Sequence, residues 1–276
     1  MSETNKQADR AAAAEPENRE RAIQSMLSAI KRILAENQPS VYLYGSSVLR
    51  DFRLGWSDID ILVLTQKRIS EGQAQELLLL RQKMLENEPD NPYYRSFEGG
   101  MLTLSAFLSK EPDRVVYWGT SGQRITETYL FDSFCMVELL RSGKLLLGAD
   151  VREQLKMPEY AELYDDVQKH YESIRRYAQT TGRSLYTFGW LLDIARGIYT
   201  LREGAVISKT EAAQWALEQH LCPVPEALET ALRVRKAPMA YRCDPAIGDY
   251  AETLAPKIQR FADVLEKELE KWRERK

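Results

Sequence analysis

Apolar and polar positions follow two different periods along this chain, and the change from one to the other divides it. From Asn18 to Glu36 the apolar residues Ile23, Met26, Leu27, Ile30 and Leu34 recur at helical spacing, and Pro39 closes that helix. A short apolar run, Val41–Tyr44, meets Gly45-Ser46-Ser47; a polar connection then leads to Asp58-Ile59-Asp60 and a second apolar run, Ile61–Leu64. The two runs predict strands. Glu71–Glu86, with leucines at 77–80, predicts a helix, and Asn87–Pro92 is an emphatic turn. Strand-like residues return over Phe97–Phe107 and Val115–Trp118, and 119–122 reads as a linker. Beyond Thr126 the texture is helical, with helices expected near 127–142, 149–156, 160–180, 185–202, 209–220, 225–235 and 247–274; Pro223, Pro225, Pro238 and Pro245 fall between them or at their starts. The expected class is α/β (α+β). Residues 1–17, polar with an alanine run and no apolar face, read as a disordered tail. An α/β domain is expected over 18–120 and an α-helical domain over 121–276, with the site in the cleft between them.

Composition narrows the function classes. An apolar share of 44% supplies cores for two modest domains in 276 residues, and no apolar run reaches the roughly 20 residues of a membrane span. Met1–Glu20 lacks the apolar stretch of a signal peptide. Cys135, Cys222 and Cys243 are odd in number and show no C-x-x-C spacing, so they read as reduced thiols of a cytoplasmic protein. Two histidines, His170 and His220, are too few for a histidine metal site. A net charge of −3 argues against a nucleic-acid partner, and the short basic stretch Arg233-Val234-Arg235-Lys236 reads as a solvated helix face.

The chemistry concentrates at Asp58 and Asp60. Alternation on a strand points both carboxylates the same way, roughly 7 Å apart along the backbone. Paired carboxylates at a strand end suit hard cations, which in two-metal sites clamp the attacking and leaving oxygens of a phosphoryl displacement. Gly45-Ser46 offers backbone N–H groups and a hydroxyl to phosphates. The bland alternative is an ordinary turn followed by two solvated acids, but Ser-Asp-Ile-Asp is an odd entry to an apolar strand without a cation.

Gly-Ser, a spacer from Ser47 to Ser57, then Asp-x-Asp resembles the signature of the nucleotidyltransferase superfamily that includes DNA polymerase β. Within it, Glu98 in Phe97-Glu98-Gly99-Gly100, the segment Ile194–Thr200 and the segment Gly204–Ala216 resemble the aminoglycoside adenylyltransferases that act on streptomycin and spectinomycin. The resemblance implies a small mixed sheet flanked by helices, followed by an α-helical bundle. It implies ATP as co-substrate, two Mg²⁺ ions on Asp58, Asp60 and Glu98, phosphates against Gly45, Ser46 and Lys209, and a small hydroxyl acceptor of aminoglycoside type. Glu98 is either metal ligand or general base. Lys209 either meets phosphates or is a solvated residue of a helix start capped by Ser208 and Glu211. Asp193, in an apolar helix, either binds an acceptor amine or pairs with Arg196 or Arg183; Trp190 either walls the acceptor or packs in the core. Asp132, Glu138 and Tyr186 have weaker claims. Gly99-Gly100 departs from strand habit and marks a bulge or a close backbone approach. The family's antibiotic-contacting tryptophan and acids have no counterpart in Tyr177–Tyr186. Two other readings stand beside antibiotic adenylylation: AMP transfer to a protein side chain, as in toxin–antitoxin nucleotidyltransferases, and an idle nucleotide-binding regulatory module. The sequence leaves the oligomeric state open.

Overall fold

A computed structural model describes residues 3–273 except 113, 120 and 121, with side chains described from Pro16 onward. Residue contacts divide the chain into two units. The first comprises 1–45, 58–130 and 143–155; the second comprises 46–57, 131–142 and 156–276.

The first unit is built on a six-stranded mixed sheet. Helix α1 (Glu3–Ile33) precedes β1 (Ser40–Tyr44) and β2 (Ile59–Thr65), which pair antiparallel; α2 (Glu71–Asn87) crosses to β3 (Phe97–Thr103), which pairs parallel with β2. A parallel pair needs such a crossover. Helix α3 (Leu104–Ser109), β4 (Val115–Gly119), β5 (Gly122–Thr126) and β6 (Lys144–Leu147) complete the unit, and the strand order is β5-β4-β3-β2-β1-β6. The two central apolar runs are buried nearly throughout, from Val41 to Tyr44 and from Ile61 to Leu64, as strands covered on both faces are. Ile23, Met26 and Ile30 of α1 and Ala74, Leu77 and Leu80 of α2 are also buried, at the spacing of one helical face. Ser70 caps α2 in a capping box with Gln73.

In the second unit α4 (Ser133–Ser142), α5 (Tyr160–Tyr177), α6 (Gly189–Glu203), α7 (Lys209–Glu218), α8 (Pro225–Lys236), α9 (Pro238–Tyr241), α10 (Pro245–Glu252) and α11 (Ala255–Arg273) form a helical assembly. Its axis is α6, which packs against α5, α7, α8 and α11; Leu191, Leu192, Ile194, Ala195 and Ile198 are fully buried.

Several elements differ from expectation. Helix α1 begins at Glu3, within the expected tail, because an alanine-rich stretch is a strong helix former; residues 1 and 2 lie outside the described residues. Apolar 104–107 turns into α3 because the Thr103 hydroxyl accepts from Ala106 N and starts a helix. A single 3-10 turn, Arg152–Gln154, stands where a helix was expected over 149–156. The sheet instead claims 144–147, and the Tyr42 hydroxyl, accepting from Val151 N and donating to Asp150, holds the chain that follows. The expected linker falls between β4 and β5, with 120 and 121 outside the described residues. The long last helix is two, α10 and α11. One cut at 120/121 does not describe the units: β5 and β6 belong with the sheet, and α4 and the spacer 46–57 with the helices.

Candidate active site

In the sheet unit the acids follow from strand register. Asp60 on β2 is the direct partner of Glu98 on β3, and Tyr44 of β1 partners Asp60 on its other side. Asp58 immediately precedes β2; Asp58, Asp60 and Glu98 are half-buried, while the intervening Ile59 and Phe97 are buried. Like charges placed opposite one another on neighbouring strands disfavour the sheet, and Arg81 of α2 lies within electrostatic reach of Glu98 and Asp58.

Two glycines shape the ground around them. Gly45 has φ +68°, and a Cβ there would stand 2.1 Å from Asp60 Oδ2, so the carboxylate lies against bare backbone. Gly99 has φ +144°, and its absent Cβ would strike Ile61 O; at Gly100 a Cβ would strike the ring of Tyr129. The doubled glycine therefore marks close approach, one of the two outcomes its sequence allowed.

Two neighbours of the acids carry no sequence signal. The Tyr117 hydroxyl on β4 donates to Glu98 Oε1 at 2.8 Å; burial first, and then that carboxylate, pushes the phenol's pKa up to about 12. Arg81 of α2 donates to Phe97 O and Gly119 O; burial lowers its pKa, while Glu98 and Asp58 pull it upward.

The helical unit holds the remaining candidates. The spacer between Gly-Ser and Asp-x-Asp is rooted here by Asp51, which is only 3% exposed. Its carboxylate accepts from Thr210 Oγ1 at 2.6 Å, from Thr210 N and from Arg235 Nη2 at 2.6 Å, while Asp51 N donates to Ser46 O. One network thus joins the turn at Ser46 to the start of α7, where Lys209 is the first residue. Arg235 is 3% exposed, which corrects its reading as part of a solvated face: a buried guanidinium needs a carboxylate partner, and Asp51 is that partner. The Ser47 Oγ is buried without a hydrogen-bond partner among the described residues.

Lys209 Nζ pairs with Asp193 Oδ1 at 2.7 Å. Asp193 therefore finds a cation, though neither of those expected: Arg196 pairs with Glu138 and Arg183 with Asp249. Trp190, Asp193, Lys209, Asp132 and Glu138 line one cavity of about 260 Å³, together with His170. Tyr186 is exposed, its ring 6.0 Å from that of Trp56.

Among the described residues no group of three His, Cys, Asp or Glu side chains is placed to hold a metal ion by itself. Mg²⁺ takes one or two carboxylates and completes its shell with substrate phosphates and water. A hard-oxygen pair such as Asp58/Asp60, beside bare backbone at Gly45, fits that habit.

Residues 159–268 match the family described as aminoglycoside adenylyltransferase, C-terminal domain. Over those residues the chain is similar to that family's C-terminal domain. The chain is also similar in fold to the crystal structure of spectinomycin adenyltransferase AAD(9) from Enterococcus faecialis, solved with ATP and spectinomycin. The TM-score is 0.63 at 17% sequence identity, covering 88% of this chain and 98% of that one. At such identity the likeness is one of fold, and it agrees with the mixed sheet and helical unit expected from the sequence. No curated protein sequence matches the chain. Among the described residues no helix is long and apolar enough to cross a membrane.

Proposed function

We propose that the protein is an ATP- and Mg²⁺-dependent adenylyltransferase acting on a hydroxyl of an aminoglycoside-type antibiotic. The observation that carries this reading is Asp60 facing Glu98 across β2 and β3, with its carboxylate against the backbone of Gly45. In the reaction a hydroxyl oxygen of the acceptor bonds to the α-phosphorus of ATP, the bond to the pyrophosphate oxygen breaks, and the hydroxyl proton is released to a base. Bound Mg²⁺ supplies charge neutralisation on the phosphates and lowers the hydroxyl's pKa. Asp58 and Asp60 are the residues that hold it. Glu98 joins them as a ligand or takes the proton, a role that requires hydrogen-bond reach to the acceptor. Gly45 and Ser46 receive phosphate oxygens through backbone N–H and hydroxyl, and Lys209 offsets charge on the departing pyrophosphate.

The helical cavity supports a cationic acceptor. Asp132, Glu138 and Asp193 bring three carboxylates to its wall and Trp190 an aromatic face, while Arg196 and Lys209, also in the wall, pair with Glu138 and Asp193; an acceptor's ammonium or guanidinium group would meet Trp190 and Asp132 and compete with Lys209 for Asp193. Asp193 and Trp190 are the acceptor-binding residues in this reading. The testing experiment incubates the protein with α-labelled ATP, Mg²⁺ and, separately, streptomycin, spectinomycin and other aminoglycosides. Label moving onto an antibiotic with release of pyrophosphate is the expected result. Label on protein instead transfers the reading to a protein acceptor, and ATP binding without turnover makes the chain a regulatory module.

A further inference from the structure

We infer that Tyr117 is a positioning residue for Glu98, fixing one carboxylate oxygen so that the other is presented to the reacting hydroxyl or to a cation. The inference rests on the function proposed above and adds to it a residue from a different strand. Tyr117 lies opposite Gly100 in the antiparallel β3–β4 pair, and Glu98 is two residues before Gly100. Side chains two apart on a strand share a face, so Tyr117 and Glu98 are diagonal neighbours on one surface of the sheet. The hydroxyl spans that diagonal to Oε1 at 2.8 Å. A neutral phenol donates to an ionised carboxylate, a charge-assisted bond stronger than a neutral one.

The ring is itself held from two sides. Arg124, the direct partner of Tyr117 on β5, stacks its guanidinium 4.4 Å from the ring centroid. Tyr129 lies with its ring 6.2 Å from that of Tyr117 and occupies the space left by the missing side chain of Gly100. Glycine at 100, tyrosine at 117 and arginine at 124 thus form one construction across three strands that ends on the Glu98 carboxylate. A free carboxylate on a strand rotates about its side-chain torsions, and a donor at one oxygen removes that freedom before substrate arrives, which is worth rate rather than affinity.

The experiment is a double-mutant cycle of Tyr117→Phe and Glu98→Gln, assayed with MgATP and the antibiotic that the wild type adenylylates, with thermal unfolding measured on each variant. Tyr117→Phe is expected to lower kcat about tenfold and leave the KM for ATP and the unfolding midpoint close to wild type. In the Glu98→Gln background the same change is expected to alter kcat by less than about twofold, because a residue that acts through Glu98 has nothing left to position. Wild-type kcat in Tyr117→Phe beside a crippled Glu98→Gln overturns the inference alone, as do losses that multiply in the double variant. Full activity in Glu98→Gln overturns the role given to Glu98, and the inference with it.

Discussion

The two units handle charge in different ways. In the sheet unit, carboxylate is set toward carboxylate: Asp60 opposite Glu98, with Asp58 one alternation earlier. In the helical unit three acids near the cavity or spacer meet a cation: Asp193 with Lys209, Glu138 with Arg196, Asp51 with Arg235. The Glu138–Arg196 and Asp51–Arg235 pairs are what burial of ions requires of a fold. The sheet acids lie within electrostatic reach of Arg81, and clustered acids beside bare backbone are the arrangement that the proposed function uses. The paired charges of the helical unit hold parts in place.

Breaking the sheet side of this contrast is expected to have the largest effect. Asp60→Asn is expected to lower kcat by at least about 100-fold with an unfolding midpoint no lower than wild type, and Glu98→Gln to slow single-turnover transfer by a similar order. Near-normal rates in Asp60→Asn would count against the cation site.

Breaking the buried pair acts on stability instead. Asp51→Ala leaves Arg235 buried without its partner and is expected to cost about 3–5 kcal/mol, read as a shifted midpoint in urea. Replacing both residues with apolar side chains is expected to cost less than the single change, since no orphaned charge remains.

The Asp193–Lys209 pair sharpens the comparison, because its members have separate proposed ligands. Lys209→Ala is expected to weaken turnover at limiting ATP about tenfold. Asp193→Asn is expected to raise KM for the antibiotic and leave that for ATP alone. Because both side chains are partly exposed, either change is expected to alter stability by less than about 1 kcal/mol. Equal effects of both variants on both substrates would contradict separate roles.

The smallest effect concerns the thiols. Burial pushes the Cys222 pKa up to about 11, whereas Cys243 is exposed. A disulfide reagent at pH 8 is expected to label Cys243 quickly and Cys222 only on unfolding. Since the folded pKa lies above that of the unfolded chain, this thiol's contribution to stability is whole below about pH 8.5 and falls as pH rises toward 11.

Much of the architecture was legible because strand and helix write different periods into β1, β2, α2 and the helical unit. Asp58 and Asp60 stood out because acids opening an apolar strand need a reason, and Glu98 because its segment resembles that of the adenylyltransferases. Their register could not be read: the pairing of Asp60 with Glu98 is set by how α2 returns the chain, which no local pattern encodes. Tyr117 was invisible for the same reason, since its bond to Glu98 exists only once β3 and β4 are aligned. Asp51 and Arg235 look like solvated charges in isolation, and 184 positions separate them; only burial reveals the pair. Lys144–Leu147 is too short to announce β6, and Leu104–Ser109 reads as strand until the Thr103 cap is seen.

The most direct test of the account is a crystal structure with Mg²⁺ and a non-hydrolysable ATP analogue. The account predicts a cation ligated by Asp58 and Asp60 that also touches phosphate oxygens, with the triphosphate against Gly45 and Ser46. Nucleotide bound away from Gly45, or bound there with no ion on either aspartate, would contradict it.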